Sequence, residues 1–259
     1  MSDEQPSDEL QLDSYGAVRV LRLHRPQARN AMTGTLARAI AAALDAFEAS
    51  DAWQVAVITG DSGHFCSGMD LKAFTRGELP WDPVRGFGGL TERPPAKPII
   101  AAVEGYAVAG GFELALACDL IVAAENAQFG LPEVRRGLVA SAGGLMRLPK
   151  RLPYCLAMEM ALTGDLLPAQ RAWAQGLVNR LTPPGQALTH ALELARRIAE
   201  QAPLAVRTSK AIVVQSATWA ADEMFARQAP LADPVGRSED ALEGARAFAE
   251  KRAPVWRGR

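Results

Sequence analysis

Ile99-Ile100-Ala101-Ala102-Val103-Glu104-Gly105-Tyr106-Ala107-Val108-Ala109-Gly110-Gly111-Phe112-Glu113-Leu114 is the stretch whose reading decides the fold. Ile99–Val103 is an apolar run without a polar break, the pattern of a strand buried on both faces. Glycines then let the backbone turn tightly, and residues 112–118 read as an apolar helix. An earlier stretch has the same grammar: Ile58-Thr59-Gly60-Asp61-Ser62-Gly63-His64-Phe65-Cys66-Ser67-Gly68-Met69-Asp70-Leu71-Lys72. A helix start after a strand presents unpaired N–H groups and a positive dipole end, suited to an anion or a developing oxyanion. Either loop alone is explained by glycines that turn the chain. Together, at the ends of successive strand-helix units, they are better explained as one two-donor site.

The flanks extend this alternation. Val18, Val20, Leu21 and Leu23 form a short apolar stretch that stops at Arg25-Pro26, where proline ends a ladder. Leu36, Ile40, Leu44 and Phe47 fall at helical spacing, with Thr33 or Thr35 as N-cap. Residues 55–58 and 120–123 read as further strands. The fold class is therefore α/β with crossover connections. Residues 1–13 read as a loose acidic tail, 14–200 as the α/β core and 201–259 as a helical region. Helices are expected at 157–162 and 169–175, with a brief strand at 177–181. Farther on, helical stretches at 186–228 and 238–251 are expected to be interrupted by Pro203, Pro230 and Pro234. Residues 72–97, with Trp81, Pro83, Gly86, Gly88, Gly89, Pro94 and Pro95, form a long irregular segment of the kind that carries function.

The 259 residues carry 28 Lys+Arg against 29 Asp+Glu, a formal charge of −1 that argues against nucleic acid as a partner. With 49% hydrophobic residues, a sizeable core is available. No apolar stretch approaches the ~20 residues that span a bilayer, so no membrane association is expected. The acidic N-terminus is unlike a secretory leader, so a cytoplasmic location is expected. Cys66, Cys118 and Cys155 are odd in number and widely spaced, which fits neither a disulfide framework nor a metal knuckle. His24, His64 and His190 are isolated, and no metal site is expected.

Two carboxylates remain. Glu113 lies on an otherwise apolar helix, where a charge is costly unless paired or functional. Glu133 follows Gly130-Leu131-Pro132, a turn that can push a side chain into a cleft. Facing one pocket, the two could divide acid and base work. An ion pair to a neighbouring arginine for Glu113, and a helix first-turn position for Glu133, explain the same spacing.

At these residues the sequence resembles the enoyl-CoA hydratase/isomerase (crotonase) superfamily. The likeness runs from about Val18 onward through Arg25-Pro26, Asn30-Ala31, residues 65–72, residues 97–105, Gly110-Gly111-Phe112-Glu113-Leu114 and Cys118-Asp119. It continues in residues 127–133, Ala142-Gly143-Gly144, Ala161-Leu162-Thr163-Gly164, Gly176-Leu177-Val178 and residues 248–252. The resemblance implies a spiral of ββα units followed by a C-terminal helical trimerisation region. It also implies a homotrimer or a dimer of trimers.

In such proteins the amides matching Met69 and Gly110 form an oxyanion hole for the thioester carbonyl. Loss of one such donor costs about 3–4 kcal/mol of transition-state stabilisation. The glutamates matching Glu113 and Glu133 hold the water that is added across the 2,3-double bond. The resemblance assigns Glu113 mainly to activating water and Glu133 mainly to proton exchange at the α-carbon. The implied function is an enoyl-CoA hydratase acting on a trans-2-enoyl-CoA, with coenzyme A as part of the substrate and no further cofactor. The alternatives are an isomerase, a hydratase of a specialised acyl group, and a catalytically silent acyl-CoA-binding homologue. Ser67 and Lys72 match positions near the coenzyme A nucleotide, and Phe248 and Lys251 match residues that reach it from an adjacent subunit. The chain's end is locally basic, with Arg246, Lys251, Arg252, Arg257 and Arg259 against Glu250. A solvated basic face or trimer contacts would account for that cluster equally well. Met69 stands where relatives often have alanine and adds bulk at the acyl entrance. Residues 73–93, which wall the acyl pocket in relatives, match no motif.

Overall fold

The computed structural model describes residues 8–259; the acidic residues 1–7 lie outside the described residues. The chain opens on a hairpin, β1 (Leu10–Tyr15) and β2 (Val18–Leu23), paired antiparallel from Leu10↔Leu23 to Tyr15↔Val18. The tail read as far as residue 13 is thus corrected: from Leu10 the chain is a strand, anchored because Leu10 is buried in the core. Helix α1 (Gly34–Ala49) follows, with the Thr33 hydroxyl capping the Leu36 amide, so Thr33 rather than Thr35 is the N-cap. Next come β3 (Val55–Gly60), a one-turn α2 (Leu71–Phe74), and the short pair β4 (Trp81–Asp82) and β5 (Gly86–Phe87).

The deciding stretch becomes β6 (Ile99–Val103), β7 (Tyr106–Val108) and α3 (Gly110–Ala117). It is followed by β8 (Leu120–Ala124), β9 (Gln128–Gly130), α4 (Gly144–Arg147), α5 (Tyr154–Thr163), β10 (Leu167–Pro168) and α6 (Ala169–Ala174). The chain closes with β11 (Arg180–Thr182), α7 (Ala187–Ala199), α8 (Pro203–Ser216), α9 (Met224–Gly236) and α10 (Glu239–Glu250). The main sheet has the order β1-β2-β3-β6-β8-β11, parallel from β2 onward, and a smaller sheet has the order β10-β9-β7. Each of β6 and β8 thus continues into a strand of the smaller sheet, which generates repeated ββα steps.

Alternation along the parallel strands explains why their sequence is apolar throughout. Leu21, Leu23, Ala56, Ile58, Ala101 and Ile121 pack in the core that includes α1 and α3. Their neighbours Val20, Val57, Ile100, Ala102 and Val122 pack with Ala187, Ala191, Leu192 and Ala195 of α7 in a second core. With period-two side chains and both faces covered, no polar residue is tolerated on either face.

Two expectations are corrected in the second half. The strand placed at 177–181 forms at Arg180–Thr182, because Leu177 and Val178 are still fastened to Ala172 of α6 through their amides. Pro203 begins α8, but Pro230 and Pro234 lie inside α9 rather than breaking it. Because α9 buries no residue, carbonyls freed by the missing proline N–H groups can face solvent. The C-terminal helices meet the core through Lys210 of α8, whose ammonium reaches Asp119 (2.6 Å) and the carbonyls of Pro95 and Lys97.

Lys97 itself is buried, and its Nζ donates to the carbonyls of Phe47 (2.9 Å), Ser50 (2.6 Å) and Trp53 (2.8 Å). It thereby satisfies the exit of α1 and ties it to the start of β6. Lys97→Met keeps the aliphatic stem and removes all three donors. Stability should fall by about 3 kcal/mol, measured as a lower urea midpoint at unchanged slope.

Candidate active site

The loop after β3 runs alongside β7. Phe65 donates its N–H to Glu104 (2.8 Å), Cys66 to the Tyr106 carbonyl (2.9 Å), and Val108 back to the Cys66 carbonyl (3.1 Å). This short parallel ladder fixes the register between the two glycine loops. A Cβ on Gly68 would lie 2.8 Å from the Ala109 Cβ and 3.2 Å from the Gly110 nitrogen, and one on Gly111 would lie 2.1 Å from the Cys66 carbonyl oxygen. Only glycine permits backbones this close. On the far side of its loop, Met69 is flanked by the bonds Met32 N–H to Gly68 O (2.7 Å) and Asp70 N–H to Met32 O (3.0 Å). Those bonds use the Gly68 carbonyl and the Asp70 amide, which turns the Met69 N–H away, toward Gly110.

Helix α3 starts two residues earlier than its apolar run indicates, at Gly110 itself. Ala109 holds φ 52°, ψ −132°, a backbone state that costs an L-residue about 1–3 kcal/mol. It is held there by its N–H to Gly130 (2.8 Å) and by its carbonyl, which accepts from Phe112 and Glu113. Gly110 is thus the first helical residue, with an amide that no helical carbonyl can reach. The amides of Met69 and Gly110 have no hydrogen-bond partner among the described residues.

Glu113, one turn into α3, is buried at 3% exposure. It makes no ion pair to arginine among the described residues. Its Oε1 accepts from the amides of Ala142 and Gly144, both at 2.8 Å. Burial raises its pKa, and those two N–H groups and Arg147 oppose the rise. Gly144 is required to be small, since a Cβ there would meet the Glu113 Cγ at 2.9 Å. Glu133 sits in a 3-10 turn, Pro132–Arg136, so the first-turn reading also holds, but its carboxyl is directed inward. Its Oε2 is buried without a hydrogen-bond partner among the described residues. Burial, and secondarily the nearby Glu113 charge, push its pKa up to about 7.

Met69, Gly110, Glu113, Glu133 and Ser67 line one cavity of about 820 Å³. Its other walls include Leu71, Phe74, Leu79, Trp81, Phe87 and Leu138. The irregular segment 72–97 therefore does supply a wall, with Phe87 against Gly110, where a Cβ would lie 2.2 Å from the ring. Arg29 and Tyr106 also line the cavity and went unread in the sequence. The Arg29 guanidinium lies 5.4 Å over the Tyr106 ring, on which His64 stacks at 5.1 Å. Their signal was their place in the two glycine-flanked segments already quoted. Ser67 donates its hydroxyl to the Ala28 carbonyl (3.1 Å). Lys72 is exposed in the turn capped by Asp70, outside the cavity lining. Phe248, 88% exposed, and Lys251 lie on or just after α10 and do not line the cavity within this chain. Among the described residues no group of three His, Cys, Asp or Glu side chains could hold a metal ion. Among the same residues no helix is long and apolar enough to cross a membrane.

Residues 13–259 match the family model described as enoyl-CoA hydratase/isomerase. The chain belongs to that family. The fold agrees: the solved enoyl-CoA hydratase of Mycobacterium tuberculosis H37Rv superposes with a TM-score of 0.96 at 52% identity, over 98% of this chain and 100% of that one. A carnitinyl-CoA dehydratase from Salmonella typhi is 44% identical over 98% of this chain and 100% of its own length. The solved carnitinyl-CoA hydratase of Mycobacterium avium matches at 41% identity and a TM-score of 0.79, with 98% and 100% covered. The chain is accordingly a crotonase-type hydro-lyase.

The state of Glu133 can be read without any substrate. Its folded pKa of about 7 lies above the ordinary 4.5, so the folded protein retains a proton that the unfolded chain releases. Between those values stability falls as pH rises, and above pH 7 the full penalty of ionising the buried group remains. Glu133→Gln removes that penalty. The variant should gain about 1–2 kcal/mol at pH 8 and clearly less at pH 5, read from urea unfolding at the two pH values.

Proposed function

We propose that the chain adds water reversibly across the 2,3-double bond of a trans-2-enoyl-CoA. The observation that carries this reading is the meeting of two free amides with two carboxyls of raised pKa around one largely apolar cavity. The thioester oxygen accepts from the N–H groups of Met69 and Gly110, which hold it as it gains negative charge. Glu113, ionised and oriented by the Ala142 and Gly144 amides, takes a proton from water as that oxygen bonds to C3. Glu133, in its acid form, gives its proton to C2 as the enolate collapses. One water is consumed, one C–O and one C–H bond form, and the proton on the carboxyl pair moves from Glu133 to Glu113. Every bond change is covered by these groups, so the reading requires no metal or redox cofactor.

The same reading assigns Ser67 and Lys72 to the coenzyme A end. It assigns Phe248 and Lys251 to the nucleotide held by a neighbouring copy, in a homotrimer or a dimer of trimers. The exposed Val213, Val214 and Phe225 of α8 and α9 are apolar surface that such an assembly would cover.

Loss of enoyl-thioester absorbance tests the proposal. Glu113→Gln and Glu133→Gln should each lower kcat by at least about 100-fold. Intact turnover in Glu113→Gln would transfer the chemistry to a one-carboxylate isomerase. Since the active pair carries one proton, kcat/KM should be bell-shaped in pH. Its alkaline limb should begin near 7, where Glu133 ionises in the free enzyme. Hydration consumes no net proton, so dehydration of the 3-hydroxyacyl product should show the same limb. A limb present in one direction only would contradict the shared-proton mechanism.

A further inference from the structure

Beside the main cavity lies a second one of about 440 Å³, between the segment that carries Glu133 and helix α5. The two share Glu133 and Val139 as walls. Apart from Glu133 and Tyr154, its lining is apolar, with Leu131, Leu148, Ala157, Met158, Ala161 and Leu162 prominent. The shared wall is the carboxyl that faces the reacting carbons, so a chain extended beyond C3 passes Glu133 on its way in. We propose that this cavity takes the acyl tail, and that the substrate's acyl group is an uncharged, apolar chain longer than four carbons.

The inference rests on the hydratase reading and adds the substrate class. Charge argues in the same direction. Of the side chains lining the two cavities, the only carboxylates are Glu113 and Glu133, whereas Arg29, Arg135 and Arg136 are cations. Arg135 is already paired with Asp165, and Arg136 has no ion pair among the described residues. A carnitinyl group ends in trimethylammonium, a fixed cation that needs a counter-charge or an open aromatic face. The one lining carboxylate that both cavities share is held largely protonated below pH 7. Of the aromatic rings, Trp81 and Phe87 meet edge to face at 5.7 Å, and Phe87 also packs on Gly110. This chain therefore differs in acyl preference from the carnitinyl-CoA enzymes to which it is similar.

The test is a series of saturated acyl-CoAs from four to twelve carbons, bound to the wild-type protein and to Ala161→Phe and followed by calorimetry. Alongside it, kcat/KM is measured for the matching trans-2-enoyl-CoAs and for crotonobetainyl-CoA. A fully buried methylene tightens binding roughly fourfold, so decanoyl-CoA should bind at least tenfold tighter than butanoyl-CoA. Ala161→Phe should abolish that difference while leaving four-carbon binding and turnover within twofold, which also reports that the variant is folded. Crotonobetainyl-CoA should turn over at least tenfold less efficiently than the ten-carbon substrate. A flat length profile, a preference for the cationic substrate, or equal losses on short and long chains in Ala161→Phe would overturn the proposal. If nothing in the series is hydrated but the binding profile holds, the hydratase reading fails and the tail site stands.

Discussion

The close approach of two backbones, at Gly68 against Ala109-Gly110 and at Gly111 against Cys66, is the constraint on which the site depends. Two amides can converge on one oxygen only if the loops that bear them lie within a van der Waals radius of each other. The parallel bonds between residues 65–67 and β7 supply the register, and three glycines supply the space. The main sheet brings this about in turn. β3 and β6 are adjacent and parallel, from Ala56↔Ile99 to Thr59↔Ala102, so both loops leave the same edge of the sheet. Helix α3 then begins at Gly110, and its N-terminal dipole adds to the field that an oxyanion would meet.

The same geometry determines what the carboxyls experience. Glu113 is drawn into the apolar core by its place on α3, and two amides compensate part of the desolvation. Glu133 receives no such help and remains more strongly shifted. Two carboxyls in one cavity are thereby made unequal by hydrogen bonding rather than by residue type. That inequality allows one to act as base while the other holds a proton. An engineered core would avoid a buried carboxyl oxygen without a partner, and its presence here marks where stability has yielded to chemistry.

Much of this was legible in the sequence, for identifiable reasons. Continuous apolar runs such as Ile99–Val103 declare a two-sided buried strand, and glycines after strands mark the tight turns at Gly68 and Gly110. Glu113 stood out because it was the one charge in an apolar helix. What escaped depends on contacts distant in the chain. The start of α3 at Gly110 is imposed by the Ala109 backbone, itself held by Gly130. The strand at residue 10 is secured by pairing with Leu23. Pro230 and Pro234 were read as breaks because local rules cannot tell an exposed helix from a buried one. Lys97 looked like part of a motif of chemical interest, yet its ammonium is spent on three carbonyls at the exit of α1.

The irregular segment 72–97 shows how a stretch without periodicity can still be rigid. Arg85 is buried at 1% exposure, and its guanidinium meets Asp45 and Glu48 of α1 and the Arg93 carbonyl. Planar and five-donor, it fastens both ends of the β4–β5 turn to one helix. A few residues on, the Thr91 carbonyl accepts from Arg147, which also reaches the Ala142 carbonyl in the loop that orients Glu113. The wall that carries Phe87 and the loop that aims Glu113 are therefore held by one chain of arginine contacts. Neither can shift far without disturbing the other. A change of acyl preference made by substitution in this segment would accordingly reach the reacting carboxyl. The second cavity, bounded by α5 and the Glu133 turn instead, can vary in shape without touching the amides that hold the thioester.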